Sequence, residues 1–211
     1  MVSTSETFRC TTHTPLPLRD RTGRPSCFNC IIETFQVQAY NLARRMLDDW
    51  ALAEDAVQES LVSAYRAFHN YRGDNLKAWL MRIVANTCRD MMRARRSRPT
   101  SPLDPLPVDA EDADRTPSAT DLPSGEESPE AHAERGELNR AIQRGLNSLQ
   151  EEQRLAVVLV DIQGLSYEEV ALTMNCSLGT VKSRVSRGRR GLRDFLQGIG
   201  ELLPSRFRHS E

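Results

Sequence analysis

The 211-residue sequence predicts an all-α protein in which two small helical domains are joined by a flexible acidic linker. Three observations carry that reading. Apolar residues recur at three- and four-residue spacing on both sides of the middle of the chain, with no run of strict alternation that would mark a strand. Residues 99–130 hold seven of the eleven prolines and nine acids, so they bury too little apolar surface to offset their ordering entropy. Formal charge, only -1 in total, divides into +2 over residues 1–27, +3 over 28–98, -8 over 99–130 and +2 over 131–211. The expected organisation is a disordered extension (1–27), a first helical domain (28–98), the linker (99–130), a second helical domain (131–197) and a tail (198–211).

In the first domain, a helix from Phe28 to Met46 places Phe28, Ile31, Ile32, Phe35, Leu42 and Met46 on one face. A second, from Ala53 to Phe68, turns Val57, Leu61, Ala64 and Phe68 inward and leaves Asp55, Gln58 and Glu59 on other sides. A third, about Leu76 to Arg95, sets Leu76, Trp79, Leu80, Ile83 and Met91 against Arg82, Asn86, Arg89, Arg93, Arg95 and Arg96. Three such helices make a small bundle. The second domain is expected to have four helices, about 131–146, 149–162, 167–174 and 178–196. Ser148 with Glu151, and Ser166 with Glu169, have capping-box spacing, and Gly164 is a C-terminal stop.

Only "NCS" separates the last two helices, which is helix-turn-helix spacing. Val170, Met174, Cys176 and Val181 are expected to pack the joint, and small Ala171 lets the helices approach. Along the last helix Val181, Val185, Gly188, Leu192 and Phe195 fill the inner face. Lys182, Arg184, Arg187, Arg189, Arg190 and Arg193 are thereby forced outward, as a cationic stripe suited to phosphates and major-groove base edges.

Other function classes are disfavoured. No window approaches the ~20 apolar residues of a membrane span, and the start lacks the apolar core of a signal peptide. The reading is cytoplasmic, with the five cysteines mostly reduced. The sequence has no Walker loop, no H-E-x-x-H and no convincing acid cluster outside the linker, so no enzyme and no cofactor are expected. Cys10, His13, Cys27 and Cys30 are four residues of zinc-ligand type at permissive spacing. Cys27 and Cys30 flank a helix start where Phe28 and Ile31 belong to the core, which favours reduced thiols without metal.

Two blocks together resemble the extracytoplasmic-function group of bacterial sigma factors: "AEDAVQESLVSAYRAFHNYRGDNLKAWLMRIVANTCRD" is similar to sigma region 2, and "LSYEEVALTMNCSLGTVKSRVSRGRRGLR" to region 4. The resemblance implies an initiation factor that binds core RNA polymerase, reads the minus-thirty-five and minus-ten promoter elements, and promotes melting. It implies polymerase contacts at Asp55, Gln58 and Glu59. Tyr71 and Asn86 would line the place where a flipped base of the single-stranded minus-ten element is read, with Arg82, Arg89, Arg93 and Arg96 on the backbone. Lys182, Ser183, Ser186 and Arg187 would reach bases of the duplex minus-thirty-five element, and Tyr167, Thr180, Arg184 and Arg189 its phosphates. An anti-sigma factor is an expected partner. A conventional helix-turn-helix regulator is the alternative, but it leaves "AEDAVQES" and the loop "FHNYRGDN" without a role.

The linker is long enough for the task. Elements two helical turns apart lie about 70 Å from each other, and a 32-residue segment at about 3.3 Å per residue extends past 100 Å. Free, it averages about 30 Å, so the unbound protein should be the more compact. Asp109, Glu111, Asp112 and Asp114 are expected to imitate nucleic-acid charge inside the polymerase.

Overall fold

The computed structural model describes residues 7–8, 16–17, 27–72, 75–97 and 129–199. Asp109, Glu111, Asp112, Asp114, Cys10, His13 and residues 200–211 lie outside these residues, while α4 begins at Pro129, inside the expected linker. The helices are α1 (Phe28–Leu47), α2 (Trp50–Phe68), α3 (Leu76–Ser97), α4 (Pro129–Ser148), α5 (Glu151–Val157), α6 (Tyr167–Met174) and α7 (Leu178–Gly198). A π-helical turn, Val158–Ile162, continues α5. Outside the helices, β1 (Thr7–Phe8) and β2 (Leu16–Pro17) pair antiparallel over two residues, a ladder too short for alternation to announce it.

Helices α1 to α3 form the first bundle, each packing on the other two. Asp48 ends α1 in the left-handed region at φ 53°, and Asp49 starts α2 by accepting the Leu52 N–H. Ile31, Phe35, Leu42 and Met46 are buried as expected. Helix α2 differs: its buried residues are Ala53, Ala56, Ser60 and Ala64, while Val57, Leu61 and Phe68 pack at the flank. Small side chains let α2 lie close to its neighbours, and the larger apolar residues close the seams. Helix α3 buries Ala78, Met81, Val84, Ala85 and Cys88 besides Leu76 and Leu80. Its core is wider than a one-sided stripe because α6 packs against it from the second domain.

The second domain keeps one expected capping box and not the other. The Ser166 hydroxyl accepts the Glu169 N–H at 3.2 Å and the Glu169 carboxylate accepts the Ser166 N–H at 2.7 Å, fixing the start of α6. Ser148 instead ends α4, with its hydroxyl on the Gly145 carbonyl at 2.7 Å; the N-cap of α5 is Gln150. The helix expected over 149–162 loosens after Val157, where the Gln163 N–H bonds back to the Val158 carbonyl, the five-residue step of a π-turn. Gly164 stops it at φ +65°, a conformation that suits glycine.

Helix α7 is seated on α4 and α5 through glycines. A Cβ on Gly188 would meet Val157 Cγ2 at 2.6 Å and the Gln153 carbonyl oxygen at 3.1 Å, and one on Gly191 would meet Leu149 Cδ2 at 2.7 Å. From α4, a Cβ on Gly145 would meet Leu192 Cδ1 at 2.5 Å. Val181 and Val185 are buried beside them, so the inner face of α7 is closed along most of its length.

The two domains share a joint that the sequence did not announce. Arg154 is buried and donates to the Met46 carbonyl at 2.9 Å and the Asn147 carbonyl at 2.8 Å, tying the ends of α1 and α4. Arg45 donates to Gln143 at 3.1 Å, and Asn147 donates to Asp48. At the other end, Asn75 caps α3 through the Ala78 N–H while its amide donates to Glu169 at 2.5 Å. Lys77 reaches the Gln163 carbonyl at 2.7 Å, and the Thr173 hydroxyl the Ala78 carbonyl at 3.3 Å.

Two stability predictions follow from these contacts. Gly188→Ala overpacks a seam with a backbone carbonyl on one side and should cost about 1–3 kcal/mol, read as a lower urea midpoint by circular dichroism. Burial alone would raise the Glu169 carboxyl, but hydrogen bonds from Ser166 and Asn75, with Lys77 nearby, hold it below its ordinary value. Its stabilising contribution is therefore present above the unfolded carboxyl value and is lost as pH falls through the lowered one. Urea midpoints between about pH 6 and about pH 3 should drop less steeply in Glu169→Gln than in the parent.

Candidate nucleic-acid and polymerase interfaces

Helix α7 begins with a cap and ends in solvent. The Ser177 hydroxyl accepts the Thr180 N–H at 3.2 Å and lies 2.9 Å from the Thr180 hydroxyl, and Asn175 closes α6 in the left-handed region at φ 49°. This is the helix-turn-helix geometry expected of "NCS", with Val170, Met174 and Val181 buried at the joint. Ala171 and Cys176 are half-buried beside them. Lys182, Ser186, Arg187 and Arg190 are exposed. Ser183 is half-buried: its hydroxyl donates to the Thr180 carbonyl at 2.9 Å and accepts from Arg187 at 3.2 Å. It therefore braces Arg187 on the helix face.

Two other cations of α7 are engaged. Arg184 meets Glu152 at 2.9 Å and approaches the Cys176 sulfur at 3.5 Å. Arg189 forms a two-pronged pair with Asp161, at 3.0 and 2.6 Å, a planar fork on a carboxylate. The Asp161 hydrogen bond raises the Arg189 guanidinium further above neutrality, and Tyr167 adds to the effect.

In the first domain Asp55, Gln58 and Glu59 are exposed, the last two one helical turn after Asp55 along α2. Val62, 50% exposed, continues that row. Its signal in the sequence is an apolar side chain seven residues after Asp55 on an otherwise polar row.

The expected minus-ten residues divide. Asn86 is exposed, and Arg93 is exposed and pairs with Asp90 at 3.0 Å. Tyr71 is 8% exposed, its ring 4.8 Å from Trp79 at 45°; Trp79 is half-buried in the same packing. Arg82 donates to the Leu172 carbonyl of α6. Arg89 pairs with Glu152 at 2.8 Å and lies 3.8 Å from Glu151, and Arg96 lies 3.5 Å from Glu151. Arginines from both domains that were expected on DNA thus converge on the first turn of α5. Residues 73–74 of the loop "FHNYRGDN" lie outside the described chain.

Among the described residues no group of three or more His, Cys, Asp or Glu could hold a metal. Cys27 is half-buried before α1 and Cys30 is buried within it. Cys27, Cys88 and Cys176 are free thiols. Burial pushes the Cys88 thiol up to about 12, which leaves it unreactive. No helix among the described residues is long and apolar enough to cross a membrane.

Comparison with known proteins places these elements. Residues 31–98 match the family model of sigma-70 region 2, and residues 139–192 match that of sigma-70 region 4. The chain is 38% identical to an ECF RNA polymerase sigma factor SigE of Mycolicibacterium smegmatis, over 84% of this chain and 64% of that one. It is 34% identical to the RNA polymerase sigma-H factor of Pseudomonas aeruginosa, over 86% of this chain and 92% of that one. Among solved structures it resembles the sigma factor RpoE bound to the anti-sigma factor NepR from Bartonella quintana, with a TM-score of 0.59 at 27% identity, covering 80% of this chain and 96% of that one. It also resembles CnrH in complex with the cytosolic domain of CnrY, with a TM-score of 0.58 at 26% identity over 81% and 88% of the two chains. With both conserved-region models matched in order and a full-length relative above 30% identity, the chain belongs to the sigma-70 family, in its extracytoplasmic-function group.

Proposed function

We propose that this protein is a transcription initiation factor. It binds core RNA polymerase, sets α7 into duplex minus-thirty-five DNA, and holds the opened minus-ten strand against α3. It acts in the cytoplasm and catalyses no reaction of its own. The observation that carries the reading is the division of α7: the inner face is sealed by Val181, Val185 and Gly188, while Lys182, Ser186 and Arg187 stand exposed in the first half of the helix. Readers of this class present that half to base edges.

The exposed row Asp55, Gln58 and Glu59 is the polymerase-binding face, two acids and an amide suited to arginines across an interface. A regulator acting at operators unaided would leave this row without a role. Tyr71 and Asn86 read the minus-ten element, with Arg82, Arg89, Arg93 and Arg96 on its backbone; Tyr71 supplies a π-face for an unstacked base once it leaves Trp79. In the second domain Ser183 works with Arg187 at the bases, and Tyr167, Thr180, Arg184 and Arg189 hold phosphates. Both solved relatives were captured with a binding partner, and an anti-sigma factor is the corresponding partner here.

Run-off transcription with purified core polymerase on a genomic promoter library tests the whole reading. The protein should associate with core enzyme and redirect its start sites; no association and no change of template would overturn it. Arg187→Ala should cost about 1–3 kcal/mol of duplex binding and relax preference at one base. Asp55→Asn with Glu59→Gln should weaken polymerase association in a pull-down while leaving duplex binding by the isolated factor unchanged.

A further inference from the structure

Glu151 and Glu152 open α5 side by side, and three arginines close on them. Arg89 and Arg96 come from α3, and Arg184 from α7. Glu152 takes one partner from each domain: its Oε1 accepts from Arg89 at 2.8 Å and its Oε2 from Arg184 at 2.9 Å. All three arginines belong to the set assigned to DNA phosphates, and none can serve a carboxylate and a phosphate with the same fork. Asp161 occupies Arg189 in the same manner, and the Leu172 carbonyl occupies Arg82.

We propose that Glu151 and Glu152 form an internal phosphate mimic, an autoinhibitory latch that holds the two readers together by the arginines they use on DNA. This rests on the initiation-factor reading only in taking those arginines as phosphate contacts. The latch is closed in the free protein, where α3 packs on α6 and pairs with the start of α5, and it opens when phosphates replace the carboxylates. Charge fits the exchange: two carboxylates at adjacent positions offer two anionic forks, as neighbouring backbone phosphates do. The residues left exposed, Lys182, Arg187 and Asn86, provide the first contact, and the latched arginines provide the second. The protein therefore binds DNA weakly until the domains part.

The test uses the full-length protein and mixed-sequence single-stranded DNA, since phosphate contacts do not depend on sequence. Glu151→Gln with Glu152→Gln should raise DNA affinity about tenfold, about 1.4 kcal/mol, and increase the radius of gyration measured by small-angle scattering. Removal of negative charge alone is controlled by Glu33→Gln with Glu137→Gln, two exposed acids away from the arginines, which should leave the radius unchanged and gain less than about twofold in affinity. Equal gains in the two double variants, or an unexpanded latch variant, would overturn the proposal. The parent protein gives a second measurement that needs no variant: saturation with DNA should expand it, and an unchanged radius would also overturn the latch. Run-off transcription by the latch variant with core polymerase should stay at the parent level. Loss of promoter-directed transcription in the parent itself would count against the initiation-factor reading, separately from the latch.

Discussion

Arg154 is the constraint on which the arrangement of this molecule depends. Its guanidinium is buried where α1 ends and α4 ends, and it supplies donors to a carbonyl from each. Helix ends leave carbonyls without internal partners, and two such ends meeting in a core would each carry that cost. One planar group with several fixed donors answers both. Burial lowers the Arg154 guanidinium from its ordinary value, while Asp48 and Glu151 act in the opposite direction. The side chain remains charged because the shift starts from so high a value. An uncharged residue of similar length could fill the space but could not satisfy both helix ends.

From that joint the rest of the contact between domains is laid out in order. Arg45 with Gln143 and Asp48 with Asn147 flank it on the same side. The Asn75 and Glu169 pair ties the starts of α3 and α6 at the far side. Between them lies α3, which serves two cores at once and carries the expected minus-ten arginines on the strip left over. That double duty explains why Arg82 and Arg89 are half-buried while Asn86 and Arg93 stay in solvent.

Local chemistry was legible in the sequence and long-range pairing was not. The bounds of α6 could be read from Ser166, Glu169 and Asn175 because all the caps lie within ten residues of one another. The same spacing at Ser148 and Glu151 misled, because α4 runs to Ser148 and takes its hydroxyl for Gly145. On α2 Ala64 is buried as expected, but close helix packing also selects Ala53 and Ala56 and leaves the expected Val57, Leu61 and Phe68 at the flank. The outward stripe of α7 stands exposed except at half-buried Arg184, and the partners of Arg184 and Arg189 were invisible. Glu152 and Asp161 lie 32 and 28 positions earlier in the chain, and only the packing of α5 against α7 brings them near.

The glycine seam under α7 has a consequence for how such a reader can change over generations. The side of the helix turned toward Val157, Gln153 and Leu149 tolerates almost no added atoms, so drift there is penalised by loss of the fold itself. On the opposite side the exposed Lys182, Ser186 and Arg190 carry no such constraint and can exchange freely. On the proposed reading of α7, the vocabulary of promoters can thus be rewritten one outward side chain at a time, with the scaffold that pronounces it left untouched.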